Sequence, residues 1–250
     1  MSNDLIVLLW LVVAAVLMWL AQRLLHSHIQ GVVLLLTGSE QAAVVALFLL
    51  LLPGIAIHEL SHWLAARLLG VRTGPISIGL ERKRGRQIRF GSVQVGRADP
   101  FRESLIGLAP LLVGTTLVLL VAQFGLRLQP DASLPVVAWP RRLLGSLRAV
   151  DAWLWVYLLF AIANAMMPSA SDRRAWRLLG VYLVLVLVIV HLLVGLPRIA
   201  ADGLHQGARV LSYLAFAFSL TVVLDVASLA ILLCLEYVIG HLTGRRLTYR

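Results

Sequence analysis

The chain of 250 residues has a single cysteine, Cys234. That excludes an internal disulfide, and its apolar surroundings give it the reading of a small core residue with no part in metal binding. Charge is also scarce, with Asp, Glu, Lys and Arg making up 14% of the residues against 60% hydrophobic. So little charge, with apolar runs of about 18 or more residues recurring, is the signature of a polytopic membrane protein. Acidic residues number 12 against 22 basic ones, a net charge of +10. In a soluble protein that surplus would point to nucleic acid. Here most arginines lie between the apolar runs, where the positive-inside bias accounts for them and no nucleic-acid partner is needed. There is no internal repeat and no low-complexity tract, and no connection is long enough for a separate soluble domain.

The apolar runs are Leu5 to Leu25, Ala42 to Val71, Leu105 to Leu126, Val150 to Met167, Leu178 to Leu196, and Val210 to about Val238. The first follows Asp4 with no basic side chain before it, which fits a retained membrane helix better than a cleaved signal peptide. His26 and His28 then fall in a polar connection and read as interfacial. Gly31 to Leu36 is too short to span and reads as an interfacial or re-entrant piece. The second run, at about 45 Å as one helix, exceeds a hydrocarbon core of about 30 Å. Pro53-Gly54 is its expected hinge. Three proline positions, Pro130, Pro135 and Pro140, mark a loop, followed by an amphipathic surface helix around Leu143 to Leu147.

Between the second and third runs the chain turns polar and basic. Ile76-Ser77-Ile78 and Ile88-Arg89-Phe90 alternate on either side of Glu81 to Arg86, which predicts a β-hairpin over 76–96 turning near Gly85. Gly91 breaks the alternation and Val93 and Val95 resume it in the other phase, the mark of a bulge or a second turn. Such a hairpin offers an edge, at Ile88, Phe90 and Val93, to an extended substrate backbone.

The chemistry is concentrated late in the second run, in His58-Glu59-Leu60-Ser61-His62. Residues four apart on a helix share a face, so both imidazoles can close on one metal ion. Glu59 then lies beside the metal, free to take a proton from water as general base. A pattern fixed at three positions does arise by accident, but ionisable residues at membrane depth are costly unless something compensates them.

Two histidines leave a zinc ion one protein ligand short of a hydrolytic site. The candidates are Asp172, Asp202, His205, Asp225 and His191. Successive spans alternate in direction, so the far ends of spans two and four share a side. At 1.5 Å per residue, His58 and His62 lie about 24 and about 30 Å along their helix, and Asp172 about 30 Å along one starting near Asp151. Asp202-Gly203, which reads as an acidic residue before a tight turn, falls with His205 on the opposite side. Asp225 sits at mid-membrane, where it lines a polar path or bonds to a neighbouring helix. His191 reads as a core histidine. With the N-terminus inside, basic side chains favour the inner segments by about two to one, placing both termini and the metal toward the cytoplasm.

These residues resemble the site-2 protease family of intramembrane zinc metalloproteases. The likeness rests on Ile55-Ala-Ile-His58-Glu59-Leu-Ser-His62, on Asn164, Pro168 and Asp172 at the end of a later span, and on Gly107-Leu-Ala-Pro110 between them. It covers roughly Ala42 to Arg177; the family's leucine-aspartate-glycine run is here Ser171-Asp172-Arg173. The resemblance implies that His58, His62 and Asp172 hold one Zn2+ per chain, that Glu59 is the general base, and that Asn164 helps to position substrate backbone. It implies an endopeptidase acting on a single-pass membrane protein in or near its span, in the lipid bilayer of a prokaryotic inner membrane. The rival classes are a metal or small-solute transporter using the same residues in transit, and an inactive scaffold that binds membrane helices.

The expected fold is thus an all-α polytopic membrane protein of about six transmembrane helices with a small β-hairpin element between helices 2 and 3. Residues 1–41 hold the first helix and the interfacial segment, 42–177 the catalytic membrane core, and 178–250 two further helices and a basic tail.

Overall fold

The computed structural model describes residues 3–82, 88–128, 144–169, 171–173, 180–181, 184–185, 188–189 and 199–245. It is mostly helical, with one two-stranded sheet. The long elements are α1 (Asn3–Thr37), α2 (Glu40–Leu68), β1 (Thr73–Arg82), β2 (Ile88–Val95), α3 (Pro100–Leu120), α4 (Ala152–Ala165) and α5 (Ile199–Thr243). Among the described residues, four helices are long and apolar enough to cross a membrane, namely α1, α2, α3 with its following π-turn, and α5. Leu9, Val12, Val16 and Trp19 on α1 are about half exposed, a large apolar face that suits lipid and not water.

Four helices differ clearly from expectation in extent: α1, α3, α4 and α5. α1 does not stop at Leu25, because no proline or other strong breaker intervenes before Gly38, which takes φ of +69° at the helix end. His26, His28 and the Gly31–Leu36 stretch are therefore helical rather than a connection and a separate piece. The polar side chain of His28 is tolerated there because α5 supplies Glu236, with His28 Nδ1 2.9 Å from its carboxylate. α4 has 14 residues, about 21 Å, too short for a full span, since Pro168 lies just past its C-cap at Met166. α5 extends well beyond the expected start at Val210, and Asp202-Gly203 lies within it as helix, not as a turn. The fifth expected run, Leu178 to Leu196, falls mostly outside the described residues, as does His191.

α2 carries the motif and begins with a cap: Ser39 accepts from the Ala42 N–H at 3.2 Å. The helix is continuous through Pro53. Gly54 next to it does more than permit a bend, because an added Cβ there would run into the Ala161 carbonyl of α4. Two helices approach this closely only where one lacks a side chain. α3 starts five residues earlier than expected, at the signal Asp99-Pro100. Asp99 accepts from the Phe101 and Arg102 N–H groups at 3.1 and 3.0 Å. The Arg102 backbone bond foremost, and its guanidinium charge as well, hold the Asp99 carboxyl below the usual carboxylate range.

The hairpin is antiparallel, pairing Ile76 with Val93 and Ile78 with Gly91. Its register shifts between Ile78 and Glu81, where three steps along β1 match two from Gly91 to Arg89 on β2. A bulge of one residue therefore lies on β1 between Ile78 and Glu81, across from Phe90 and next to Gly91, and the same mismatch recurs between Thr73 and Ile76. The expected turn at Gly85 lies outside the described residues. Phe90 packs on Phe48 of α2, ring centroids 5.9 Å apart, and so ties β2 to the motif helix.

The main core joins α1, α3, α4 and α5 through Met18, Val118, Leu159, Ala163, Met166 and Ala217. A second cluster, with Leu25, Leu47, Leu51 and Ile55, binds α1 to α2 beside the hairpin. Cys234 is on the exposed side of α5, not in either core. Its face of α5 is apolar and outward, like that of Ile231 and Leu235.

Candidate metal centre

Helical spacing alone brings His58 and His62 together, with ring centroids 4.8 Å apart and Nε2 atoms 3.1 Å apart. What fixes their chemistry is the other nitrogen of each ring. His58 Nδ1 lies 2.7 Å from the Ala165 carbonyl of α4, and His62 Nδ1 lies 2.9 Å from the Ile106 carbonyl of α3. A carbonyl only accepts, so both Nδ1 atoms must carry the proton. In the neutral rings both Nε2 lone pairs then turn toward the same point.

Asp172 completes the convergence. Its Oδ1 is 3.4 Å from His62 Nε2 and its Oδ2 3.8 Å from His58 Nε2. Among the described residues, ligand atoms of His58, His62 and Asp172 all lie within 4.8 Å of one another. Two lone pairs and a carboxylate converging on one point repel unless a cation stands there. Ligands at about 2.0–2.1 Å on a tetrahedral ion would be about 3.3 Å apart, close to the spacing seen. The residues fit a metal ion.

Asp172 owes its position to a short turn. Its Oδ2 accepts from the Ser169 N–H at 2.7 Å, and its own N–H donates to Ser169 Oγ at 3.3 Å. Ser171 Oγ bonds to Ser169 Oγ at 2.7 Å. Ser169 and Ser171 thus build the turn that holds the carboxylate. The turn lies against α3 at Gly107, where an added Cβ would collide with the Asp172 carbonyl.

A cavity of about 540 Å³ surrounds the three ligands. Glu59 lines it next to the histidines, and an added Cβ on Gly91 would lie 3.0 Å from its Oε1. From β2, Ile88, Phe90 and Val93 also line it. Asn164 lines it from α4. This side chain is only 5% exposed and bonds to α5, with Nδ2 2.8 Å from Asp225 Oδ1. Asp225 is thus the helix-bonding residue of the two roles considered for it. Asp202 and His205 lie near the start of α5, and their side chains are outside the described set.

The sequence missed His26, which lines the same cavity from α1, with a buried Nε2 that has no partner. It reads as interfacial because the first apolar run stops at Leu25, just before it. Its position one turn after Gln22, whose amide donates to the Ala163 carbonyl of α4 at 3.0 Å, was the available signal: polar side chains at i and i+4 on an apolar helix mark an inward face.

Compared with known protein families, with curated proteins and with solved structures, the chain finds no match in any of the three. The case for function rests on the site.

Proposed function

We propose that this chain is an intramembrane zinc endopeptidase of site-2 protease type, which hydrolyses a peptide bond in or near the membrane span of a single-pass protein. The observation that carries the proposal is the convergence of two Nε2 lone pairs and the Asp172 carboxylate beside Glu59, in a cavity walled by a strand. Two imidazoles and one carboxylate with space beside them are the donor set of a hydrolytic zinc site. Zinc bound there supplies the Lewis acid that polarises the peptide carbonyl and makes water a nucleophile at neutral pH.

The chain's own residues account for the rest. Glu59 takes the proton as the water oxygen bonds to the carbonyl carbon, then hands it to the leaving nitrogen as the C–N bond breaks. A substrate helix must unwind before its amide is reachable, and its freed backbone groups need partners in a dry setting. The edge of β2 that is unpaired among the described residues provides them in an extended pose, and Asn164 lines the same cavity. The excess of basic residues on the hairpin side favours an active site toward the cytoplasm of a prokaryotic inner membrane.

Elemental analysis of purified protein tests the centre. The parent holds about one zinc per chain, Asp172→Ala loses it, and Asp202→Ala keeps it. A parent that binds no zinc, or a loss confined to Asp202→Ala, overturns the assignment. Glu59→Gln retains zinc and loses cleavage. Cleavage at the parental rate in that variant refutes Glu59 as base.

A further inference from the structure

Asn164 and Asp225 are separated by 61 positions in sequence and meet inside the helical bundle, 5% and 1% exposed. The orientation of the Asn164 amide is dictated by its neighbours. Its Nδ2 donates to the Phe160 carbonyl at 3.1 Å and to Asp225 Oδ1 at 2.8 Å. Phe160's carbonyl can only accept, so nitrogen and not oxygen must face it, and both amide protons are then committed. What remains is Oδ1, which is buried and has no hydrogen-bond partner. Asn164 lines the cavity that holds the metal ligands.

An unpartnered buried carbonyl oxygen is costly, and so is a carboxylate buried with one of its oxygens, Asp225 Oδ2, unpartnered. Packing alone would be served better by two apolar side chains of similar size. The arrangement is explained if Asn164 Oδ1 is meant for something that enters the cavity and carries an N–H. The backbone amide of an unwound substrate does.

Resting on the protease reading above, we infer that Asp225 is a positioning residue: it holds the Asn164 amide so that Oδ1 accepts a hydrogen bond from a substrate backbone N–H. Asn164 accordingly serves the substrate as acceptor only, and the C-terminal helix α5 sets the geometry of the substrate wall without touching substrate. The partner recognised is an extended peptide segment, placed between Asn164 and β2.

Two experiments decide this. The chain has two asparagines, Asn3 and Asn164, so asparagine labelled with 15N on its side chain yields two pairs of amide proton signals. In the detergent-solubilised full chain, the Asn164 amide protons are shifted away from those of Asn3 and exchange slowly, and Asp225→Ala moves them. Signals that coincide with those of Asn3, or that Asp225→Ala leaves in place, overturn the inference whether or not the protein cleaves anything. The second uses a fluorogenic peptide with one membrane helix of about 20 residues. Asp225→Ala raises its KM about tenfold with zinc content unchanged. Asp225→Asn restores KM, because its amide can turn an oxygen toward Asn164 Nδ2. Asn164→Ala combined with Asp225→Ala is no worse than Asn164→Ala alone. Multiplying effects in the double variant, or no rescue by Asp225→Asn, overturn the positioning role. A parent that cleaves nothing overturns the protease reading instead, and the amide signals still decide the Asp225 bond.

Discussion

A Cβ on Gly91 would stand 2.8 Å from Cγ and 3.1 Å from Cδ of Glu59. The hairpin thus touches the proposed general base through the one residue of β2 that has no side chain. The glycine that breaks the strand's alternation also makes room for the carboxylate.

Gly91→Ala is therefore expected to push Glu59 aside without disturbing the histidines. Displacement of a reacting group by about 1 Å costs up to about a hundredfold in rate. Zinc per chain stays at the parental level while kcat falls by about ten- to a hundredfold, as metal analysis and peptide cleavage on the same preparation will show.

Gly107→Ala acts on the other side of the site. The new methyl collides with the Asp172 carbonyl, so the turn over 171–173 must move off α3 and take its carboxylate with it. Zinc content falls along with activity, the opposite pattern to Gly91→Ala. Retention of a full zinc complement would show that Asp172 is not needed for binding.

Phe90→Ala removes the ring that ties β2 to Phe48 on α2. An aromatic pair of this kind contributes about 0.5–1.5 kcal/mol beyond its buried area. With β2 less firmly held, KM for the peptide rises severalfold while kcat changes little. A fall in kcat alone would place Phe90 at the chemistry rather than at the substrate wall.

The N-cap of α3 gives a pH dependence. Asp99 has its carboxyl held below the ordinary value of 3.8 in the folded chain. Its contribution is fully present above that ordinary value and is lost as pH falls through the lower, folded one. Thermal unfolding in detergent shows the parent losing an increment of stability in that acidic window that Asp99→Ala lacks. The increment is small, because this carboxylate is exposed to solvent.

The local features of the site were legible because they follow from short-range periodicity. Spacing of four puts His58 and His62 on one face of α2 whatever surrounds the helix, and alternation about a basic turn makes the hairpin. Apolar run length matches four span-length helices among the described residues, not the six expected, and places their ends less accurately. α1 continues through His26 and His28 because α5 contributes Glu236 for His28 to bond, a compensation no local window can see. α4 falls short of a span because Pro168 ends it, a signal present in the sequence and outweighed by the apolar run.

Sequence by itself determined which residues offer metal-binding and acid–base chemistry, since side-chain identity and helical spacing are local properties. Span parity pointed to Asp172 as the carboxylate to join the histidines, although it lies in a turn past the end of α4 and not along that helix. Only the tertiary structure decided what those residues face. The Ala165 and Ile106 carbonyls that set the histidine tautomers, the missing side chains at Gly91 and Gly107, and the Asp225 bond that turns Asn164 all come from other elements. Such contacts depend on how helices pack at long sequence separation, and packing is a property of the whole chain at once.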